Sequence, residues 1–398
     1  MKLMLAIQDS MGHLLPSIRF AQQAQKLGHE IVAVSSDRHG ALLDQSGIPH
    51  IPVTNADNPF MSMGDWYAVD VVKTQVRVFD TLVDRLKPDA VVCGPLAISA
   101  FMFAERQALP LAVIGYASYL YPGIGDSDET RWWRLRSITG FYNAARAGLG
   151  LRPLAADPER TPLIGDCYML RNVPEFTGPA QLPASVFHVG GLHAEPGAGA
   201  YSARAFAERW RDRGRRVVFL QIGRLFGKVD LWPRLTAALD ALGLAAIADV
   251  GRCDYLPEDA QFPDHCFGAR FISLGDVADL VDFILCSGHG ASLLGGMSHG
   301  KPLACLPTSA DSVELAARIA ELGLGASLDW RQPTDGIAAD LRVFLQRHDA
   351  GGFDPALERF GGLLGEWKAR EGAVITGVLE RLQAIRTDRA AAGAALSA

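Results

Sequence analysis

The sequence predicts an α/β protein built from two doubly wound parallel sheets. Three observations predict it. Apolar, strand-like runs alternate with helix-periodic segments almost from the first residue; the same opening of strand, glycine turn and helix occurs twice, from residues 3 and 216; and a Gly/Ala-rich stretch separates the two series. At 398 residues the chain is also longer than one compact core usually holds.

In order, LMLAI reads as a buried strand, QDSMGH as a glycine turn, and PSIRFAQQAQKLG as a helix with Ile18, Ala21, Ala24, Gln25 and Leu27 on one face, Gln25 its one polar interruption. Gly28 stops that helix before the strand EIVAVSS, which completes a β-α-β unit. The runs DAVVCG and LPLAVIGYAS flank the helical AISAFMFAERQA. The pattern weakens over residues 191–203, where a linker is expected, and resumes with the basic helix AFAERWRDRGRR. RVVFLQIG, the turn GRLFG and the helix LWPRLTAALDALG repeat the opening, followed by LAAIADVG, DFILCSG and PLACLP at helix-sized intervals. The expected division is 1–195, 210–370 and a C-terminal segment 371–398. In that last segment EGAVITGVLERLQAI forms a helix returning to the first domain, and RAAAGAALSA forms a frayed tail.

Composition narrows the function. With 49% hydrophobic and 21% charged residues, and no apolar run of membrane-spanning length, the chain reads as a cytoplasmic protein without a membrane span. The start MKLMLAIQDS lacks the features of a secretory signal. Six scattered cysteines without a C-x-x-C pair fit reduced thiols. Cys253, Asp254, His265 and Cys266 cluster, but without the paired spacing of a zinc site, so no metal is expected. A net charge of −6 argues against nucleic acid as partner. A small molecule is the expected ligand.

Doubly wound sheets bind ligands at the carboxyl ends of their strands, which selects the loops 8–16, 222–228 and 286–296. None carries a dinucleotide or P-loop fingerprint.

Two of these regions resemble a known family. GHLLPSIRFAQQAQKLGHEIVAVSS is similar to the start of inverting glycosyltransferases of the GT-B fold, and FISLGDVADLVDFILCSGHGASLLGGMSHGKPLACLPTSADS is similar to the donor-binding box of the UDP-glucuronosyltransferase-like and antibiotic glycosyltransferases. The resemblance implies an acceptor-binding first domain and a nucleotide-sugar-binding second domain facing it across a cleft. It implies that His13 is the general base removing the acceptor proton, a task suited to imidazole and worth about 10²–10⁴-fold. Many relatives place an Asp after the strand equivalent to DAVVC, where this chain has Cys93, Gly94 and Pro95. Asp9, Asp126 or Asp128 could serve instead, His13 could act alone, or the acceptor could be acidic enough to need little help.

In the donor box the resemblance puts Phe271 at the base-stacking position and Ile272 beside it. The pyrophosphate-binding His falls on Ser287, which with Gly288, Gly290 and Ser292 forms a phosphate cradle at a helix N-terminus. His289 or Arg224 would compensate for the lost His, Arg through paired hydrogen bonds. The ribose-binding Glu falls on Gly295, which leans toward a deoxyribose donor such as a dTDP-sugar, and the acidic–Gln pair that ends the box falls on Asp311 and Ser312. Phe60, Trp66, Tyr116, Tyr119 and Trp132, in the irregular segments of the first half, are the candidate acceptor contacts.

The expected function is metal-independent, inverting transfer from a dTDP- or UDP-sugar to a small aromatic or polyketide-like acceptor. The nucleotide sugar is a co-substrate, and no cofactor is expected. A sugar-nucleotide epimerase, or a catalytically silent binding or helper protein of the same fold, are the alternatives.

Overall fold

The computed structural model describes residues 1–54, 59–116, 128–156, 162–178, 182–192, 194, 201–223, 231–251, 261–308 and 310–397. The chain divides into two compact units: Met1–Ala194 together with Trp367–Ala398, and Glu195–Glu366.

Unit 1 is a seven-stranded, all-parallel sheet of β1 (Lys2–Ala6), β2 (Glu30–Ser36), β3 (His50–Val53), β4 (Ala90–Cys93), β5 (Leu111–Gly115), β6 (Cys167–Leu170) and β7 (Val186–His188). Their spatial order is β3-β2-β1-β4-β5-β6-β7. The order reverses between β1 and β4, so the loops leaving these two strands diverge and open a crevice at their carboxyl ends. Strand β1 shows why both faces are covered. Met4 and Ala6 point into one core, with Phe79, Phe101, Phe103 and Tyr142; Leu3, Leu5 and Ile7 point into the other, with Leu14, Ile18 and Ala21. A parallel sheet buried on both faces produces the near-continuous apolar runs seen in the sequence.

Unit 2 repeats the plan with six parallel strands: β8 (Val217–Gln221), β9 (Ala245–Asp249), β10 (Cys266–Ala269), β11 (Phe283–Cys286), β12 (Leu303–Cys305) and β13 (Gly325–Ser327), in the order β10-β9-β8-β11-β12-β13. Its reversal lies between β8 and β11. It begins ahead of residue 210, because the Tyr201–Arg211 helix packs Phe206 against Phe267 of β10, ring centroids 5.8 Å apart.

Three local expectations are corrected. His13 does not lie in a glycine turn: the helix starts at Met11, with Ser10 as N-cap accepting from the Gly12 N–H. Pro16 is therefore inside the helix rather than at its start. The C-terminal helix runs from Asp354 to Ser397, far beyond 371–385; glycines at 361, 362, 365, 372 and 377 dilute its sequence pattern. The Ala-rich tail continues this helix instead of fraying from its first residue, consistent with alanine's helix propensity. Ile375, Val378, Leu379 and Leu382 join the unit 1 core. The nearly buried Glu371 accepts hydrogen bonds from Arg19 Nε at 2.6 Å and Gln23 Nε2 at 2.7 Å.

Candidate functional site

Each unit presents a cluster at its own point of strand-order reversal. In unit 1 the cluster is built by β1, β4 and β6. Strand β1 leads into Gln8 and Asp9, and the helix that follows carries His13 in its first turn, half-buried, with its backbone N–H bonded to the Ser10 carbonyl at 2.9 Å. Strand β4 delivers Gly94 against the ring. A Cβ on Gly94 would stand 2.6 Å from Gln8 Oε1 and 2.7 Å from His13 Nδ1, so the space a side chain at 94 would fill holds the Gln8 amide and the His13 imidazole.

Strand β6 delivers Arg171, a guanidinium only 1% exposed. Pro16 lacks an N–H and so leaves the Gly12 carbonyl without its intrahelical donor. Arg171 Nη1 reaches that carbonyl at 3.5 Å, while its Nε donates to the Gly191 carbonyl at 3.0 Å and its plane lies over the Tyr116 ring at 4.9 Å. A buried cation is thereby fixed beside the turn that holds His13.

Of the acids considered as partners of His13, Asp9 is engaged with His39 at 3.3 Å and Arg38 at 3.9 Å. Asp126 and the side chain of Asp128 lie outside the described residues. Burial pushes the Cys93 thiol well above its ordinary pKa, which keeps it protonated.

The acceptor candidates separate. Phe60 is 4% exposed and packs edge-on against Phe79 in the core. Tyr116 is half-buried under Arg171, and its carbonyl accepts from the Tyr168 hydroxyl at 2.6 Å. Trp66, Tyr67 and Phe141 form a cluster with centroids 4.9 to 5.7 Å apart, in which Tyr67 and Phe141 are exposed. Tyr119 and the side chain of Trp132 lie outside the described residues.

In unit 2, Ser287, Gly288 and His289 link β11 to the Gly290–Ser298 helix, with His289 as N-cap making no side-chain capping bond. Gly288 has φ +78°, which favours glycine, and a Cβ there would press on the Ser312 carbonyl at 3.0 Å. The Ser287 hydroxyl is buried and has no hydrogen-bond partner. Gly223, leaving β8, adjoins both: a Cβ at that position would stand 3.6 Å from Ser287 Oγ and 3.7 Å from His289 Cδ2. Small residues, an unsatisfied hydroxyl and a helix N-terminus meet at one point, a combination suited to an anion.

Other parts of the box play different roles. Ser292 does not offer a free donor, since its hydroxyl is given to Gln221 Oε1, and Gln221 Nε2 is in turn bonded to Asp249 at 2.6 Å. Ser312 is fully buried, with its carbonyl against Gly288. Gly295 is a packing glycine, because a Cβ there meets Leu274 at 3.1 Å. Ile272 is buried and Phe271 half-buried in the loop after β10. Arg224 and the side chain of Asp311 lie outside the described residues. A pocket of about 450 Å³ opens at the ends of β12 and β13, lined by Thr308, Val313, Leu328, Asp329, Trp330 and Arg331 among others.

Cys253 and Asp254 also lie outside the described residues. His265 contacts the Thr236 carbonyl at 3.0 Å through Nε2, and burial pushes the Cys266 thiol up to about 12. No cluster of three or more metal-ligating side chains, and no helix long and apolar enough to cross a membrane, occurs among the described residues.

Sequence reasoning missed Gln8, Arg171, Gln221 and Asp249. They share one signal: each is the first polar residue after an apolar strand run, or the last residue of the run itself.

No protein-family model matches the chain. It is 24% identical over 397 residues to the vancomycin aglycone glucosyltransferase of Amycolatopsis orientalis, covering 87% of this chain and 90% of that protein. Among solved structures, the kitacinnamycin glycotransferase superposes with a TM-score of 0.70 at 18% identity, covering 96% of this chain and 98% of that one. The glycosyltransferase VinC in complex with dTDP superposes with a TM-score of 0.62 at 16% identity, covering 96% of this chain and 100% of that one.

Proposed function

We propose that this chain, a GT-B protein whose relatives are antibiotic glycosyltransferases, transfers a sugar with inversion from a nucleoside diphosphate to a hydroxyl of a small, apolar acceptor. The observation that carries the reading is the pairing of chemistries at the two points of strand reversal: an imidazole in unit 1, and an anion cradle with a buried, unsatisfied hydroxyl in unit 2.

His13 takes the acceptor proton as the acceptor oxygen attacks the anomeric carbon. The bond from that carbon to the diphosphate oxygen breaks, and its electron pair leaves on the phosphate. A single displacement of this kind inverts the anomeric centre. The backbone amides at 287–290 and the positive end of the Gly290–Ser298 helix receive the developing charge, a role that requires no metal ion. The pocket beside Val313 offers room for the sugar. Two features favour a dTDP donor: Gly295 leaves no carboxylate for a ribose diol, and the related fold VinC holds dTDP. The exposed aromatic cluster of Trp66, Tyr67 and Phe141 favours a flat acceptor.

The test is release of free nucleoside diphosphate from a panel of dTDP- and UDP-sugars, with and without aromatic acceptors. Release that requires acceptor supports transfer. Turnover of the donor without acceptor indicates the epimerase alternative, and no turnover indicates a silent protein. His13→Ala is expected to lose most transfer, about 10²-fold or more, while still binding donor nucleotide; unchanged turnover would remove the base assignment.

A further inference from the structure

Gln8 lies two residues beyond β1 and is 1% exposed, and its amide oxygen has no hydrogen-bond partner. Its amide nitrogen is directed at the Met63 thioether at 3.5 Å. A glutamine could have turned this oxygen to water from a strand end, and a buried acceptor left unmatched is costly. What lies next to it is the His13 ring: one point, the absent Cβ of Gly94, is 2.6 Å from Gln8 Oε1 and 2.7 Å from His13 Nδ1. Any side chain at 94 would separate the two groups. Asp9 is engaged with His39 and Arg38, and Arg171 with the Gly191 and Gly12 carbonyls.

We propose that Gln8 is the positioning residue for His13, its amide oxygen accepting the Nδ1–H and so fixing the tautomer whose Nε2 lone pair takes the acceptor proton. This rests on His13 being the base. A small movement of either side chain into the space left by Gly94 makes the bond. An amide holds the tautomer as a carboxylate would, but adds no charge to stabilise the imidazolium that forms on proton transfer. The base is oriented without being electrostatically assisted by its partner.

Two variants separate the possibilities. Gln8→Met keeps the shape and removes the acceptor; Gln8→Glu keeps an acceptor. Long-range ¹H–¹⁵N correlation spectra of the full chain, with His13→Asn assigning the signals, report which His13 nitrogen carries the proton in the neutral ring. The wild-type chain and Gln8→Glu are expected to show the Nδ1–H tautomer, and Gln8→Met a mixture. In the transfer assay Gln8→Met is expected to lose roughly 10- to 100-fold in kcat with donor KM unchanged, and Gln8→Glu to retain activity. If Gln8→Met does not fold, Gln8→Ser replaces it. A folded Gln8→Met chain with the wild-type His13 tautomer overturns the proposal, whatever its turnover. A tautomer change in a chain that transfers no sugar supports the positioning role and overturns the transferase reading alone.

Discussion

Replacing Gly94 with alanine adds one methyl group at a crowded point of unit 1. The new Cβ would lie 2.6 Å from Gln8 Oε1, 2.7 Å from His13 Nδ1 and 3.3 Å from His13 Cε1. Ordinary van der Waals contact begins near 3.4 Å, so the imidazole must retreat by about 0.7 Å and the Gln8 amide by a similar distance. Gln8 is buried, and His13 is tied at its backbone to Ser10 and Ser17, so neither group moves freely. Overpacking of this kind costs about 1–3 kcal/mol. A catalytic group displaced by about 1 Å loses on the order of 10²-fold in rate. Gly94→Ala is therefore expected to melt several degrees lower, to lose roughly 100-fold in acceptor-dependent release of nucleoside diphosphate, and to keep its affinity for the donor nucleotide. The assay is initial-rate release of the nucleotide, with calorimetric nucleotide binding as the control. A Gly94→Ala chain with wild-type rate and melting temperature would show that the His13 position is neither tight nor catalytic.

Other changes have equally definite outcomes. Ser292→Ala strands the part-buried Gln221 amide oxygen and should cost about 1 kcal/mol in unit 2, read as a lower midpoint in urea; an unchanged midpoint would indicate that the link to Asp249 holds by itself. Glu371→Ala leaves the Arg19 guanidinium unpaired beside the C-terminal helix and should destabilise unit 1 by about 3 kcal/mol, with limited proteolysis releasing the C-terminal segment earlier than in wild type. Burial holds the His188 imidazole below its ordinary pKa, despite its contact with the Asn172 carbonyl. The unfolded chain then binds the proton more readily, so the stability that His188 contributes is complete above about pH 6.5 and falls as the pH drops below it. His188→Asn should flatten the acid side of a plot of melting temperature against pH; a loss confined to alkaline pH would contradict the assignment.

The fold was legible because both sheets are buried on two faces, which turns strands such as LMLAI, VVFL and FILC into unbroken apolar runs separated by helix-length intervals. The start of the first helix was not, because Pro16 marks a helix N-terminus in sequence while Ser10 caps it in the structure, and Arg171, 155 residues beyond Pro16, supplies a donor to the carbonyl that the proline leaves open. The site was partly legible for a similar reason. His13 and 287–290 lie in segments that leave strands β1 and β11, which the alternation of strand and helix runs locates; that both strands border a reversal is seen only in the structure. The burial of Phe60 was not legible, because an aromatic residue in an irregular segment looks the same whether it packs on Phe79 or faces a ligand. Gly94 and Gly295 read as lost acids, yet neighbouring side chains crowd both positions: Gln8 and His13 at one, Leu274 at the other. Gln8 itself gains meaning only from the approach of β4 to β1, which no local pattern encodes.

Calorimetric titration of the full chain with dTDP and with UDP, each in chelator-treated buffer, tests the donor assignment most directly. Saturable binding of at least one of them at one site per chain is expected, weakened when Gly288→Val fills the space between Ser287 and Ser312. Absence of binding by both nucleotides would contradict the assignment of unit 2 as the donor domain and, with it, the transfer reaction.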